Sequence, residues 1–142
     1  MDWKSPDLTL RRHLVFSLLQ GTPGLRPFLD PDGDSVLILQ SPQGEAMALV
    51  VVGWQKEVLV VQARVEGLEG VSTLQTNAWN AQRRWPRAWV QEGRVHLDFQ
   101  VLLWGDLGRG LLASILLPVI AAIGEFLEWI EQEGGKEPVL AA

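Results

Sequence analysis

The chain has 142 residues, 47% of them hydrophobic, with seven Trp, no Cys and a formal net charge of -5. This length and apolar content exclude a disordered chain and favour a single domain over residues 1–142. The lack of Cys excludes disulfides, thiolate metal sites and cysteine nucleophiles, and the acidic balance disfavours general nucleic-acid binding, which relies on Lys and Arg.

The chain begins with a predicted amphipathic helix over about residues 6–20. Ser5 can cap it, Pro6 suits its first position, and Asp7 favours the positive end of the helix dipole. Its apolar run is too short for a secretory signal and lacks a cleavage site of small residues. His13 is expected to pack partly buried on this helix, and the protein is expected in the cytoplasm.

Four strands are predicted next. The pair Asp32-Gly33 favours a tight hairpin turn between the first two strands. In the fourth strand apolar and polar residues alternate, which indicates one covered face and one face at least partly in water. An antiparallel sheet is therefore expected, with strands at about residues 26–30, 35–40, 46–54 and 58–66.

The second half of the chain predicts a helix, two strands and a long final helix. Ser72-Thr73-Leu74-Gln75 has the form of a capping box and opens a helix over about 72–84. The final helix covers about 111–133, with a bend or break expected before Pro118 and a loose tail from 134. The expected fold is α+β, an antiparallel sheet packed by helices in the order αββββαββα, with the later strands at about 87–91 and 94–103.

The apolar run 111–124 is the longest in the chain, and it contains Ser114 and Pro118. It falls short of the roughly 20 apolar residues that a membrane span needs. No membrane association is therefore expected.

No polar cluster has the spacing of a catalytic or metal-binding motif. The segment Asp30-Pro31-Asp32-Gly33-Asp34 begins like a calcium loop but lacks the later Gly and Glu, so a hairpin turn is favoured. The glycine-rich segment 105–110 matches neither phosphate-binding fingerprint. His96 and Asp98 share one strand face, but no nucleophile accompanies them, and the two histidines make a poor metal site. We therefore expect neither an enzyme nor a bound metal or cofactor.

The most distinctive stretch is 79–89, which carries three Trp and three Arg and no acidic residue. Interleaved aromatic and basic side chains can stack bases and hold phosphates. They can equally anchor a protein interface, where Trp and Arg are favoured. A third interpretation packs Trp79 and Trp85 in the core and leaves the arginines in water.

Three segments of this region resemble the signature region of bacterial YbjN-like domain proteins: Asn77-Ala78-Trp79-Asn80, Arg84-Trp85-Pro86-Arg87-Ala88 and Gly93-Arg94-Val95-His96-Leu97. The long last helix with Phe126 and Trp129 fits the same family, so the resemblance spans most of residues 5–133. It implies a fold similar to that of type III secretion chaperones. It further implies a non-enzymatic, dimeric protein associated with regulation or stress. The resemblance gives a structural role to Asn77, Trp79, Asn80 and Pro86.

Two surfaces follow as hypotheses. The polar residues that alternate with apolar ones along the strands should share one side of the sheet. They predict one partner-binding face, formed by Gln62, Arg64, Arg87, Trp89, His96, Asp98 and Gln100. The apolar surplus of the last helix predicts a homodimer interface at Leu111, Ile115, Leu117 and Ile120.

The predicted function is a non-enzymatic protein-binding module, chaperone-like or regulatory, that acts as a homodimer. Its expected partners are a second copy of itself and another protein. The alternative is an accessory factor that binds single-stranded nucleic acid or DNA-processing proteins through residues 79–89.

Overall fold

The computed structural model describes residues 7–67 and 71–133, which form three helices and six strands. The predicted α+β class and the element order αββββαββα are both confirmed. The tail from 134, predicted to be loose, lies outside the described residues. In chain order the elements are α1 Leu8–Gln20, β1 Phe28–Leu29, β2 Ser35–Gln40, β3 Met47–Gln55, β4 Val58–Glu66, α2 Thr73–Gln82, β5 Arg87–Gln91, β6 Arg94–Leu102 and α3 Arg109–Glu133.

The six strands form one antiparallel sheet in the spatial order β1-β2-β3-β4-β6-β5. The predicted hairpin at Asp32-Gly33 joins β1 to β2, and Gly33 adopts the positive φ of 85° that favours glycine. One carboxylate oxygen of Asp30 accepts hydrogen bonds from the backbone N–H groups of Asp32 and Asp34, each at 2.9 Å. Asp30 in the acidic segment 30–34 therefore stabilises the hairpin turn.

The helices cover one face of this sheet. The core cluster combines residues of α1 and α3 and Trp79 of α2 with every second residue of the strands, whose side chains all point to the same side of the sheet. Side chains of the other parity are absent from that cluster, and the side of the sheet they occupy is called the open face below. On β3 the core residues are Ala48, Val50, Val52 and Trp54, and their partners on β4 are Val65, Ala63, Val61 and Leu59.

Helix α1 begins one residue after Asp7, whose side chain accepts from the backbone N–H groups of Thr9 and Leu10. The sequence offered Ser5 as the cap, so the helix starts later than predicted. His13 is exposed rather than partly buried. Arg11 is the unexpected core residue of this helix, with only 6% of its surface exposed.

The guanidinium of Arg11 holds α1 to the chain that follows β6. It donates to the carbonyl oxygens of Leu103 at 2.9 Å and Gly105 at 2.7 Å. It also lies 4.7 Å from the ring centre of Trp54, within cation–π distance. Two carbonyls and an aromatic face thus compensate for the burial of this charge.

Helix α3 runs without a break through Pro118, so the predicted break is wrong. Pro118 is exposed, which leaves the unpaired carbonyl of Ser114 on a side of the helix that water can reach. The side of α3 that faces the sheet is an apolar stripe whose members are 6% exposed or less: Leu112, Leu116, Val119, Ile123, Phe126 and Ile130.

By length and composition alone, α3 is also apolar enough to cross a membrane. A core helix of a soluble protein meets the same criterion. Because α3 contributes nine buried residues to the fold, this property is weak evidence for a membrane span.

The end of α3 is joined to the turn between β2 and β3 by Glu131. Its carboxylate accepts from the Ser41 hydroxyl and from the backbone N–H groups of Gln43 at 2.9 Å and Glu45 at 3.1 Å. Desolvation, the largest single influence, would raise the pKa of Glu131, but these three hydrogen bonds together lower it. The charged form of Glu131 therefore stabilises this corner of the fold.

Candidate partner-binding surface

The polar side chains predicted to share one face do lie side by side on the open face. Cross-strand pairs place Arg64 opposite His96 and, on the other side of His96, Trp89. The next row pairs Gln62 and Arg87 with Asp98. Gln100 follows on β6, opposite Val60. We call the set Gln62, Arg64, Arg87, Trp89, His96, Asp98 and Gln100 the polar half of the open face.

Trp89 is the central side chain of the polar half. Its ring stacks on the imidazole of His96, with 5.4 Å between ring centres and 17° between planes. The indole is still 39% exposed. A concavity of about 270 Å³ lies on the His96 side, lined among others by Arg64 and Gln62, and another of about 310 Å³ is lined by Arg87, Trp89 and Asp98. The stacking fixes the indole, which leaves an exposed aromatic anchor between two hollows.

The charges of the polar half are only partly paired. Arg64 lies 3.2 Å from the Glu66 carboxylate and Arg94 lies 3.6 Å from the same oxygen. Arg87 has no ion pair within the described residues. One carboxylate oxygen of Asp98 is buried without a hydrogen-bond partner, while the other lies 3.5 Å from the Gln100 amide. Because Arg87 is exposed, its guanidinium can bind polar groups of an incoming molecule.

The other half of the open face is apolar, which the sequence did not reveal. β3 is apolar at both parities, so its pattern could not show which side chains face the helices. Two residues of this apolar region, on the neighbouring strands β2 and β1, are strongly exposed: Ile38 at 53% and Phe28 at 48%. We call the set Phe28, Val36, Ile38, Met47, Leu49 and Val51 the apolar half.

The stretch 79–89 does not form one continuous aromatic and basic platform. Trp79 is 3% exposed and contacts Phe126 edge to face, with 5.0 Å between ring centres. Trp85 packs edge-on against Phe99 at 5.4 Å, and only Trp89 lies on the open face. Arg83 is paired with Glu125 and lies over the Trp79 ring. Thus its three Trp occupy three environments, and Trp79 is inaccessible for stacking with a base.

The family-like residues close the β5 edge of the sheet. The carboxamide of Asn80 donates to the carbonyl of Ala88 at 2.7 Å and accepts from its N–H at 2.8 Å. The indole N–H of Trp79 donates to the carbonyl of Pro86 at 2.9 Å. Asn77, by contrast, is exposed on α2. Asn80 acts as a substitute for a neighbouring strand, which gives the motif a structural role.

The residues of the hypothetical dimer interface differ in accessibility. Leu111 is 52% exposed, whereas Ile115 and Leu117 are partly buried against the core. Ile120 is only 5% exposed and belongs to the core itself. The four side chains therefore do not form a single exposed stripe on α3.

Within residues 7–67 and 71–133, no group of three or more His, Asp or Glu is arranged to hold a metal ion. In the acidic turn, burial raises the pKa of Asp34, the charges of Asp30 and Asp32 raise it further, and Arg12 lowers it. Asp34 also fills the space beside Gly53, where a side-chain Cβ would lie 2.6 Å from its carboxylate oxygen. The carboxylates of Asp30 and Asp34 thus make structural contacts within the protein.

The described structure is thus an α+β module whose unpaired polar and aromatic side chains lie on an open sheet face. A family model described as "YbjN: Putative bacterial sensory transduction regulator" matches residues 24–132. Because that match covers most of the chain, the protein belongs to the YbjN family, and the resemblance noted in its sequence is confirmed. No curated protein and no solved structure matches the chain significantly.

Proposed function

We propose that this protein is a non-enzymatic regulatory module that binds another protein through the polar half of its open face. The observation that carries the proposal is the exposed, stacked indole of Trp89 between two hollows. Trp and Arg dominate the binding energy of protein interfaces when they lie at the centre of the contact. The regulatory role follows the description of the family.

The flanking charges support a specific contact. Arg64 and Arg87 lie on opposite sides of the His96 and Asp98 rows, so a partner that covers Trp89 also meets two guanidinium groups. Chaperone-like binding of other proteins in the cytoplasm, without a cofactor, is the form of regulation that we propose.

Self-association is the second part of the proposal. Leu111, with Ile115 one helical turn further along, supplies apolar surface at the start of α3 that a second copy would cover. Static light scattering at micromolar concentration should give the mass of a dimer, and Leu111→Glu should shift it to a monomer. A monomer mass for the unaltered chain would refute the homodimer and leave the partner-binding face untouched.

The partner-binding proposal is tested by comparing two tryptophans of equal accessibility. Trp89 is 39% exposed and Trp85 is 40% exposed, but only Trp89 lies on the open face. The immobilised protein and its Trp89→Ala and Trp85→Ala variants, each checked for folding by circular dichroism, capture proteins from a bacterial lysate for quantitative mass spectrometry. The expected partner is retained by Trp85→Ala and lost about thirtyfold on Trp89→Ala, the effect of an interface hot spot of about 2 kcal/mol.

Equal capture by both variants would contradict a role for the polar half.

The nucleic-acid alternative is tested separately with a labelled single-stranded oligonucleotide at low salt. Binding that falls on replacing Arg83, Arg84 and Arg87 by Ala and weakens steeply with salt would support that alternative.

A further inference from the structure

The outward backbone groups at the start of β5, as far as Ala88, are bound by side chains of α2. The pairing of β5 with β6 leaves the carbonyl of Pro86 and both backbone groups of Ala88 on the outer side, where Trp79 and Asn80 bind them. Pro86 has no N–H to satisfy. An extended peptide therefore finds no free backbone group at Pro86 or Ala88.

The opposite edge of the sheet is left open over part of β2. β1 has two residues and pairs only with Ser35 and Val36. The N–H of Ser41 donates to the carbonyl of Ala46. Because backbone hydrogen bonds alternate along an antiparallel strand, the odd-numbered residues of β2 therefore direct their N–H and C=O groups toward β3. The N–H and C=O groups of Ile38 and Gln40 consequently point away from the sheet. No backbone hydrogen bond reaches them from the loop before β1 within the described part of the chain.

The side chains of β2 do not protect this edge. Natural sheets block exposed edges with charged residues, prolines or bulges. β2 reads Ser-Val-Leu-Ile-Leu-Gln, without any charge or proline. Ile38 is 53% exposed beside the edge, and Phe28 and Leu29 of β1 are about half exposed as well. Backbone donors, backbone acceptors and apolar side chains are thus available together.

We propose that the edge of β2 at Ile38–Gln40 binds an extended, uncharged segment of a partner protein as an additional antiparallel strand. Both groups of Ile38 and of Gln40 pair with the added backbone, and an aliphatic side chain of the segment packs on Ile38. The uncharged sequence of β2 and its apolar neighbours select an uncharged segment with alternating aliphatic residues. This surface is distinct from the polar half, so the two proposals stand independently.

The length of the open edge decides between a peptide and a second copy. The segment Ile38–Gln40 spans about 10 Å at about 3.3 Å per residue. A stable dimer needs roughly 20–30 residues from each partner, far more than this segment supplies. A short strand-like peptide, by contrast, gains affinity from a few backbone hydrogen bonds and one or two side-chain contacts.

The premise is tested first by hydrogen exchange of the full, free protein, followed residue by residue by NMR. The amides of Leu37 and Leu39 should exchange slowly because they bind β3, and those of Ile38 and Gln40 should exchange fast. Slow exchange at Ile38 and Gln40 would overturn the proposal, since it means that the protein's own chain covers the edge.

Binding is then tested with an acetylated and amidated heptapeptide of alternating Thr and Val at millimolar concentration. It should slow the exchange of the Ile38 and Gln40 amides. The matched control peptide carries N-methyl groups on the amides that would face β2, and it should bind at least about tenfold more weakly because donors are lost. Equal binding of both peptides, no saturable binding, or shifts confined to Ala88 or Trp89 would each overturn the proposal.

Two protein variants locate the contact. Gln40→Pro removes one outward N–H while the bonds to β3 are kept, and it should weaken the heptapeptide by about tenfold. Leu102→Lys alters another exposed apolar residue at the far end of the open face and should leave the affinity within about twofold. If Gln40→Pro instead converts a dimer to a monomer in light scattering, the edge is a contact between copies and the peptide proposal is wrong.

Discussion

At the β5 edge of the sheet, side chains of α2 bind the outward backbone groups of Pro86 and Ala88, whereas at the β2 edge the groups of Ile38 and Gln40 point outward with no strand of the described residues beside them. Asn80 and Ala88 are eight residues apart, so one local motif closes the β5 edge. The β2 side is held at its two ends, by β1 at Ser35 and Val36 and by Glu131, which binds the turn between β2 and β3. The difference shows that a local motif can satisfy the first part of one sheet edge, whereas the β2 edge has no such motif within the described residues.

Trp79→Ala should have the largest effect on the closed edge. The substitution removes a side chain that fills the space between Phe126 and Trp129 and binds the Pro86 carbonyl. The free energy of unfolding in urea should fall by about 3–5 kcal/mol. Trp79→Phe, which keeps an aromatic ring but loses the hydrogen bond, should cost clearly less. A loss below about 1 kcal/mol for the Ala variant would show that Trp79 does not anchor this edge.

Asn80→Ala should come second, because it leaves both backbone groups of Ala88 without a partner. We expect a loss of about 1–3 kcal/mol and faster hydrogen exchange of the Ala88 amide. Asn77→Ala, on the exposed side of the same helix, should change stability by less than about 0.5 kcal/mol. If the two variants unfold at the same urea concentration, water satisfies Ala88 and the edge is open.

Glu131→Gln should alter the pH dependence of stability at the β2 side. The pKa of Glu131 is lowered from its ordinary value of 4.5, so its stabilising effect is present above that value and disappears as the pH falls through the folded pKa. The unaltered protein should therefore be more stable than the variant at neutral pH, and the difference should vanish in acid. Urea unfolding between neutral pH and pH 3 measures it.

Asp34→Asn provides the opposite comparison. The pKa of Asp34 is raised from 3.8, mainly by burial, so its protonation as the pH falls favours the folded state. The stability of the unaltered protein should thus gain on that of Asp34→Asn in acid. If the free energy of unfolding of both variants differed from that of the unaltered protein by a constant amount at every pH, neither the Asp34 nor the Glu131 carboxyl would affect stability through its local contacts.

Ile38→Thr should have the smallest effect. The side chain is more than half exposed on the open edge, and threonine suits a strand equally well. Stability should change by less than about 0.5 kcal/mol, as measured by the midpoint of urea unfolding. A loss as large as that of Asn80→Ala would show that some part of the chain already packs on this edge.

Features encoded by neighbouring residues were predictable from the sequence. The turn at Asp32-Gly33 and the capping box of Ser72 and Gln75 both form as predicted. The alternation in β4 and β6 correctly placed Arg64 and His96 together on one face. These patterns need only a few consecutive residues, because turn, cap and strand parity are local properties.

Features that depend on distant residues were missed. Arg11 is buried because of carbonyls 92 and 94 residues later, and Glu131 binds a turn 86 to 90 residues earlier. Ile120 was assigned to a dimer surface because helical spacing alone does not show how wide a stripe the sheet covers. The predicted break at Pro118 is absent, since the unpaired carbonyl lies on the exposed side of α3.

The buried guanidinium of Arg11 has a consequence for synthesis of the chain on the ribosome. Helix α1 is made first, yet the carbonyl groups that hold it belong to Leu103 and Gly105. A helix of 13 residues is marginally stable alone in water. Helix α1 can contact β2 and β3 as soon as they are made, but the Arg11 guanidinium lacks both carbonyl acceptors until residues 103–105 have left the ribosome. The first element made is thus secured in full only after the last strand, and a nascent chain that stalls before residue 103 carries Arg11 beside the Trp54 ring but without either carbonyl acceptor.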